Sequence, residues 1–333
     1  MTTLTSPHDL LTAVPFLIGY HPESSIVIIT IRDSHVGMAM RIDYPEAIDS
    51  EQIQILLSHI RRHESDCILL VAYLPDFDHE GLISRSIHSS LSDEGVSIKE
   101  SIEIRNGRWR SLLCGDNACC PPDGNPLPEF FSSSITAEQV AEGVALPFSN
   151  VEAIRASLRT DHPNFSLLTA LAEIAPIDYS QSDSRLLQAE GAHAVRDLLN
   201  DFALRGMEVE MTRVALVLAR LHDLQVRDYA LGMATLENQG DLISLWRWLT
   251  SIAPAGFAAA PATLYAELTY ETGDGAIASR ALERALDDQP DYQLAKLLRK
   301  TFAAGWEPDQ FRQMRSELHP RICQALFASG SEE

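Results

Sequence analysis

The sequence predicts an α/β N-terminal domain with a mixed sheet, residues 1–160, followed by an all-α helical domain, residues 161–333. Three observations carry this reading. Ser25–Arg32 (SIVIITIR) and Cys67–Leu74 (CILLVAYL) are β-branched or aliphatic almost throughout, as strands buried on both faces are. Asn106-Gly107 is a strong hairpin signal, because both residues tolerate the positive φ of a type I′ turn. From about Phe165 onward every periodic segment has helical spacing, and none reads as a strand. Between the halves, Pro121, Pro122, Pro126 and Pro128 favour an extended connector. The boundary is placed at Asp161-His162-Pro163.

Taken in order, Pro7 to Ile18 reads as a short helix closed by Gly19 and a turn at His21-Pro22. Ser25–Arg32 returns through Val36 to Tyr44 as a hairpin. Ile53, Leu56, Leu57 and Ile60 form a helical stripe between Asp49 and His63. In the second buried strand Cys67 acts as a small hydrophobe. A helix over about Asp78–Ser92 follows, with Asp78 as its cap. The Asn106-Gly107 hairpin completes the order β-β-α-β-α-β-β, which requires a mixed sheet. Short helices over Thr136–Gly143 and Ser149–Leu158 each open on a hydroxyl cap.

A two-residue loop at Asn106-Gly107 pairs Arg105 with Arg108, Ile104 with Trp109, Glu103 with Arg110 and Ile102 with Ser111. Ile102, Ile104, Trp109 and Leu113 then face a core, and Glu103, Arg105, Arg108 and Arg110 face solvent. In an acidic chain the arginines form a local cationic patch. Arg105, Arg108, Arg110 and Trp109 are therefore a candidate site for a small anion; a solvated face with one cross-strand ion pair is the simpler reading.

In the helical half, Tyr229-Ala230 recurs as Tyr265-Ala266 and Pro254 as Pro290, both at a spacing of 36 residues. Leu242, Trp246 and Leu249 align with Ala278, Leu282 and Ala285. The second copy, Ala262 to Pro290, resembles a tetratricopeptide repeat, a family with a period of ~34 residues. That resemblance implies about two tetratricopeptide-like repeats. The first copy departs from the pattern, with bulky Trp246 and Leu249 where small residues are preferred, and a generic helical bundle is the alternative. Helices over Leu294–Ala304 and Pro308–Leu326 are expected to complete the stack.

A chain of 333 residues with 45% hydrophobic content can build two cores. Its net charge of −21 disfavours nucleic acid and anionic membrane as partners. No apolar run approaches the ~20 residues that span a bilayer. Leu10–Tyr20 has no preceding Lys or Arg and is broken by Pro15, so it does not read as a signal sequence. The expected compartment is the cytoplasm, where five cysteines are thiols or ligands rather than a disulfide framework.

Cys114, Cys119 and Cys120 place three soft donors within seven residues. Zinc sites use four ligands, usually as two spaced pairs, so a fourth would come from His21 or Asp116. Arg108 and Arg110 suit a redox reading, because a nearby cation lowers a thiol pKa. Buried structural thiols are the favoured reading; zinc is a disfavoured candidate, and the cofactor is otherwise unknown. His59 and His63 have metal-ligand spacing, yet they lie near a helix C-terminus, where histidine is favoured electrostatically. No G-x-x-x-x-G-K-[ST], G-x-G-x-x-G or G-x-S-x-G occurs, so the usual nucleotide and hydrolase signatures are missing.

Val14–Ile31 (VPFLIGYHPESSIVIITI) and Gly107–Gly124 (GRWRSLLCGDNACCPPDG) resemble the two signature blocks of the actinobacterial domain of unknown function 4192 family. Arg41-Ile42-Asp43 resembles a shorter third block, and Ala276–Ala295 resembles the family's helical tail. The resemblance implies no known activity and carries over no catalytic residue. The residues themselves support two expectations. One is a cytoplasmic interaction or scaffold protein that grips a protein or peptide on its helical domain. The other is an enzyme or metal/redox sensor using Cys114, Cys119 and Cys120 beside Arg108 and Arg110. The missing motifs favour the first.

Overall fold

A computed structural model describes residues 4–327. The chain divides into two compact units between Val151 and Glu152. The first contains α1 (Pro7–Ile18), β1 (Ser25–Arg32), β2 (His35–Asp43), α2 (Ser50–Arg62), β3 (Cys67–Tyr73), α3 (Leu82–Asp93), β4 (Ile98–Arg105), β5 (Arg108–Ser111), β6 (Asn125–Pro126) and α4 (Ser134–Ala141). Next come α5 (Val151–Ser157), α6 (Phe165–Ala172), α7 (Ser184–Arg205), α8 (Met211–Arg220), α9 (Leu224–Gly232), α10 (Gln239–Ile252), α11 (Ala259–Glu271), α12 (Gly275–Asp288), α13 (Gln293–Ala303) and α14 (Pro308–Phe327). The division falls ahead of Asp161-His162-Pro163 because the residues just before the proline already join the helical unit. Leu158 is buried in its core. Arg155 pairs with Glu283 of α12 at 3.2 Å, and Arg159 pairs with Asp287.

The sheet of the first unit has the order β2-β1-β3-β4-β5-β6. Only β3 and β4 run parallel; the other neighbours are antiparallel, so the sheet is mixed. Ile26, Ile28, Ile68, Leu70 and Ala72 pack with Ile53, Leu57 and Ile60 of α2 and Ile87 and Leu91 of α3. Val27, Ile29 and Val71 point the other way and are equally buried, which is why these two strands read as continuous apolar runs.

Four details depart from the expected pattern. The proline-rich connector contributes β6, which pairs with β5 at the sheet edge, a position that tolerates Pro126's missing N–H. Leu113 is 49% exposed, because the strand ends at Ser111 before its side chain reaches the core. Glu103 is buried, because α3 covers the sheet face that it shares with Ala72. Helix α3 begins at Leu82, after a short 3-10 turn over Asp76–Asp78. Asp78 still caps it, accepting from the Leu82 and Ile83 amides at 2.8 Å each.

In the second unit every described element is helical. The aligned positions Tyr229, Ala230, Leu242, Trp246 and Leu249 are buried, as are Tyr265, Ala266, Ala278, Leu282 and Ala285. The neighbours of the two copies differ, however. Helix α11 packs chiefly on α12 and α10, whereas α9 packs chiefly on α14 and α7. Among the described residues no helix is long and apolar enough to cross a membrane.

Candidate metal centre

The site is built on the β4–β5 hairpin. Asn106 (φ 51) and Gly107 (φ 70) are both left-handed, as a type I′ turn demands. The register follows from that turn: Arg105 faces Arg108, Ile104 faces Trp109, Glu103 faces Arg110 and Ile102 faces Ser111. Beyond Ser111 the Leu112 amide still donates to Ser101 O at 2.7 Å. The chain then leaves the sheet and curls back on itself.

Local hydrogen bonds set that curl. Asp116 Oδ1 accepts from the Ala118 amide at 2.8 Å, and Asp116 O accepts from the Cys120 amide at 2.7 Å. The far side is held by Asn125 Nδ2, which donates to Cys119 O at 2.9 Å. Arg108 donates through Nε to Asp123 O at 2.8 Å and through Nη2 to Gly124 O at 2.7 Å. Gly124 is obligatory here: its φ is 74, and a Cβ would stand 2.8 Å from Trp109 O.

The outcome is a convergence of thiols. The Sγ atoms of Cys114, Cys119 and Cys120 all lie within 4.8 Å of one another. Cys120 is buried, Cys114 is half-buried and Cys119 is exposed, so the cluster opens to solvent on one side. A tetrahedral zinc ion at ~2.3 Å from each sulfur needs sulfurs about 3.8 Å apart, a contraction of no more than about 1 Å within a short loop. The thiols also act on each other. A backbone hydrogen bond from Asp116, helped by the Cys120 and Cys119 thiols, holds Cys114 below the ordinary thiol range. Cys119, donating to those same two neighbours, is pushed up to about 11. Cys114 therefore becomes a thiolate before Cys119 does.

The other residues singled out from the sequence have separate duties. Arg105 donates to His79 O at 2.5 Å, and Arg108 holds the end of the cysteine loop as described. Arg110 is half-buried, and its Nε has no hydrogen-bond partner among the described residues. Trp109 is buried on the opposite face, edge-on to His8 at 5.3 Å. His21 and the Asp116 carboxylate do not join the sulfurs: among the described residues, the converging group is the three cysteines. His21 instead meets Phe130 at 4.6 Å, and burial holds it below the ordinary histidine range. Together with Tyr73 and Arg105 these two line a cleft of about 480 Å³ at the carboxyl ends of β3 and β4. Tyr73, which the sequence did not single out, enters this lining by its position at the end of a buried strand that runs parallel to β4.

No curated protein and no solved structure gives a significant match to the chain. Residues 7–309 match the family model described as Domain of unknown function (DUF4192), so the chain belongs to that family.

Proposed function

We propose that the N-terminal unit binds a thiophilic metal cation through Cys114, Cys119 and Cys120. The observation that carries the reading is the convergence of three Sγ atoms within 4.8 Å. Read from the sequence, the lack of a second cysteine pair weighs against zinc. A pre-gathered trio changes that balance, since three protein ligands plus solvent is the usual form of an open zinc site, and three thiolates alone suit copper(I). Exposed Cys119 gives the ion a route in and out, which fits a metal-responsive role. The cytoplasm remains the proposed compartment, because three adjacent reduced thiols need a reducing environment. The test is metal analysis of the full chain purified under reducing conditions, then titration with zinc and, separately, copper(I). One equivalent per chain, absent from the triple Cys→Ser variant, is expected. Three freely titrating thiols with no stoichiometric uptake of either ion would return the cluster to structural thiols.

We infer a second role for the helical unit, interaction with a partner protein or peptide. The support is the recurrence of buried positions at a spacing of 36 residues and the exposure of Leu186, Leu204 and Leu236 on its surface. The net charge of −21 keeps nucleic acid outside this reading. Cross-linking of the full chain, compared with a variant carrying serine at those three leucines, tests it. Identical cross-link patterns would remove the surface from consideration.

A further inference from the structure

We infer that the surface formed by α7, α9 and α11 is a receptor for an amphipathic helix carrying a buried arginine, and that α14 occupies it in cis. This rests on the interaction reading above and names its surface and its ligand chemistry.

Helix α14 follows α13 in the chain, yet it packs chiefly on α9, α11 and α7. One stripe makes the contact: Phe311, Arg315, His319, Ile322 and Leu326, at helical spacing. Phe311 meets the rings of Tyr270, Phe302 and Trp306 at 5.5, 5.6 and 6.1 Å. Arg315 is buried and grips both oxygens of Glu271, at 3.1 and 2.8 Å, while also donating to Ala234 O. One turn earlier on α11, Glu267 is buried as well. Glu271 thus offers both carboxylate oxygens to the Arg315 guanidinium, with Arg312 Nε of the same helix 3.9 Å away, and this pairing selects a fork-shaped cation over an apolar side chain. Gly232 of α9 lies against this stripe, where a Cβ would overlap the His319 ring. Further along, Leu326 and Ile322 join Ala192 of α7 and Tyr229 of α9 in a small separate core.

The occupant is held more lightly than the groove. Of the 20 residues of α14 only Phe311, Arg315 and Leu326 are fully buried, whereas 12 of the 13 in α11 are. Pro320 removes one backbone hydrogen bond from the middle of α14. Gly305, left-handed at φ 66, lies in the short link from α13. Departure of α14 would leave the buried Glu271 carboxylate without its cation, so the groove favours exchange for another arginine-bearing helix over standing empty. The partner that fits is a helix from another protein with an aromatic residue, an arginine four residues later and aliphatic residues at eleven and fifteen.

Two measurements on the full chain test this. Hydrogen exchange should show α14 amides opening at least tenfold faster than those of α11. A fluorescent synthetic peptide of residues 308–327 should bind the Arg315→Ala chain at least tenfold more tightly than the wild-type chain. Leu326→Ser, which leaves the Glu271 pair intact, repeats the test should Arg315→Ala fail to fold. Exchange of α14 as slow as α11, with no peptide uptake by either variant, would overturn the receptor while leaving the interaction reading to the rest of the helical surface. Equal binding of a peptide with glutamate in place of that arginine would support interaction but overturn arginine recognition. A concentration-dependent dimer that exchanges α14 would make a second copy the occupant and overturn a foreign partner.

Discussion

Glu103 lies buried beneath α3, its two carboxylate oxygens held by the Arg85 guanidinium at 3.2 and 3.0 Å and one of them by Ser84 Oγ at 2.6 Å. The cross-strand neighbour Arg110 is not its ion-pair partner; a helix residue is. Arg85 itself is half exposed, so solvent screens the pair from one side. Arg85→Ala should lower stability by about 1–2 kcal/mol, because it strands a buried carboxylate, and Glu103→Gln should cost less. Urea unfolding of both variants measures the difference. A neutral Arg85→Ala would mean that water already solvates Glu103.

A pH effect should originate in the helical unit. Burial pushes the Glu267 carboxyl up to about 8, with the neighbouring Glu271 adding to the rise and Arg315 opposing it. The folded value is raised, so its contribution to stability is complete below the ordinary carboxylate pKa of about 4.3 and is lost as pH climbs toward 8. Glu267→Gln should therefore match the wild type near pH 4.5 and exceed it at pH 8 by roughly 2–5 kcal/mol. Urea midpoints at the two pH values decide the matter. A difference that does not widen with pH would show that the folded state holds Glu267 ionised.

The three cysteines should separate by burial when no metal is bound. Cys119 is exposed, so Cys119→Ser should change apo stability by less than ~0.5 kcal/mol. Cys120 is 2% exposed, and Cys120→Ser should cost about 1–2 kcal/mol. With metal at a hundredfold excess over its Kd, the wild type should gain about 2.7 kcal/mol that neither variant recovers. Thermal melts with and without metal read all of these values.

Asp288 should behave as a structural acceptor. Its side chain is buried and accepts from the amides of Gly256, Ala258 and Ala259 at 2.8, 2.9 and 3.1 Å, tying the end of α12 to the start of α11. Asp288→Ala leaves three amides unmet and should cost about 2–3 kcal/mol, with Asp288→Asn milder because one acceptor oxygen remains. Equal losses for the two substitutions, measured by calorimetry, would point to charge rather than acceptor geometry.

Much of this architecture was legible in the sequence because its causes are local. β-Branched runs identify β1 and β3, since such side chains fit a pleat covered on both faces. Asn106-Gly107 sets the hairpin register residue by residue, because only one turn geometry matches the twist of the flanking strands. The stripe Ile53, Leu56, Leu57 and Ile60 reveals α2 through its period, and Gly19 ends α1 in the left-handed conformation that glycine tolerates best.

Tertiary structure alone decided the rest. Alternation along β4 puts Glu103 on the face opposite Ile102, but whether α3 covers that face depends on packing between distant elements. The cysteine spacing permits a cluster; the Asp116 turn and the Arg108 clamp on the loop end produce it. The proline connector carries no strand pattern and becomes β6 only because β5 offers an open edge. Helix α14 is visible as a helix, yet its partners on α9 and α7 lie about eighty and more residues away along the chain. Such contacts are selected by the shape and charge of an assembled surface, Gly232 and Glu271 above all, and no local period encodes them.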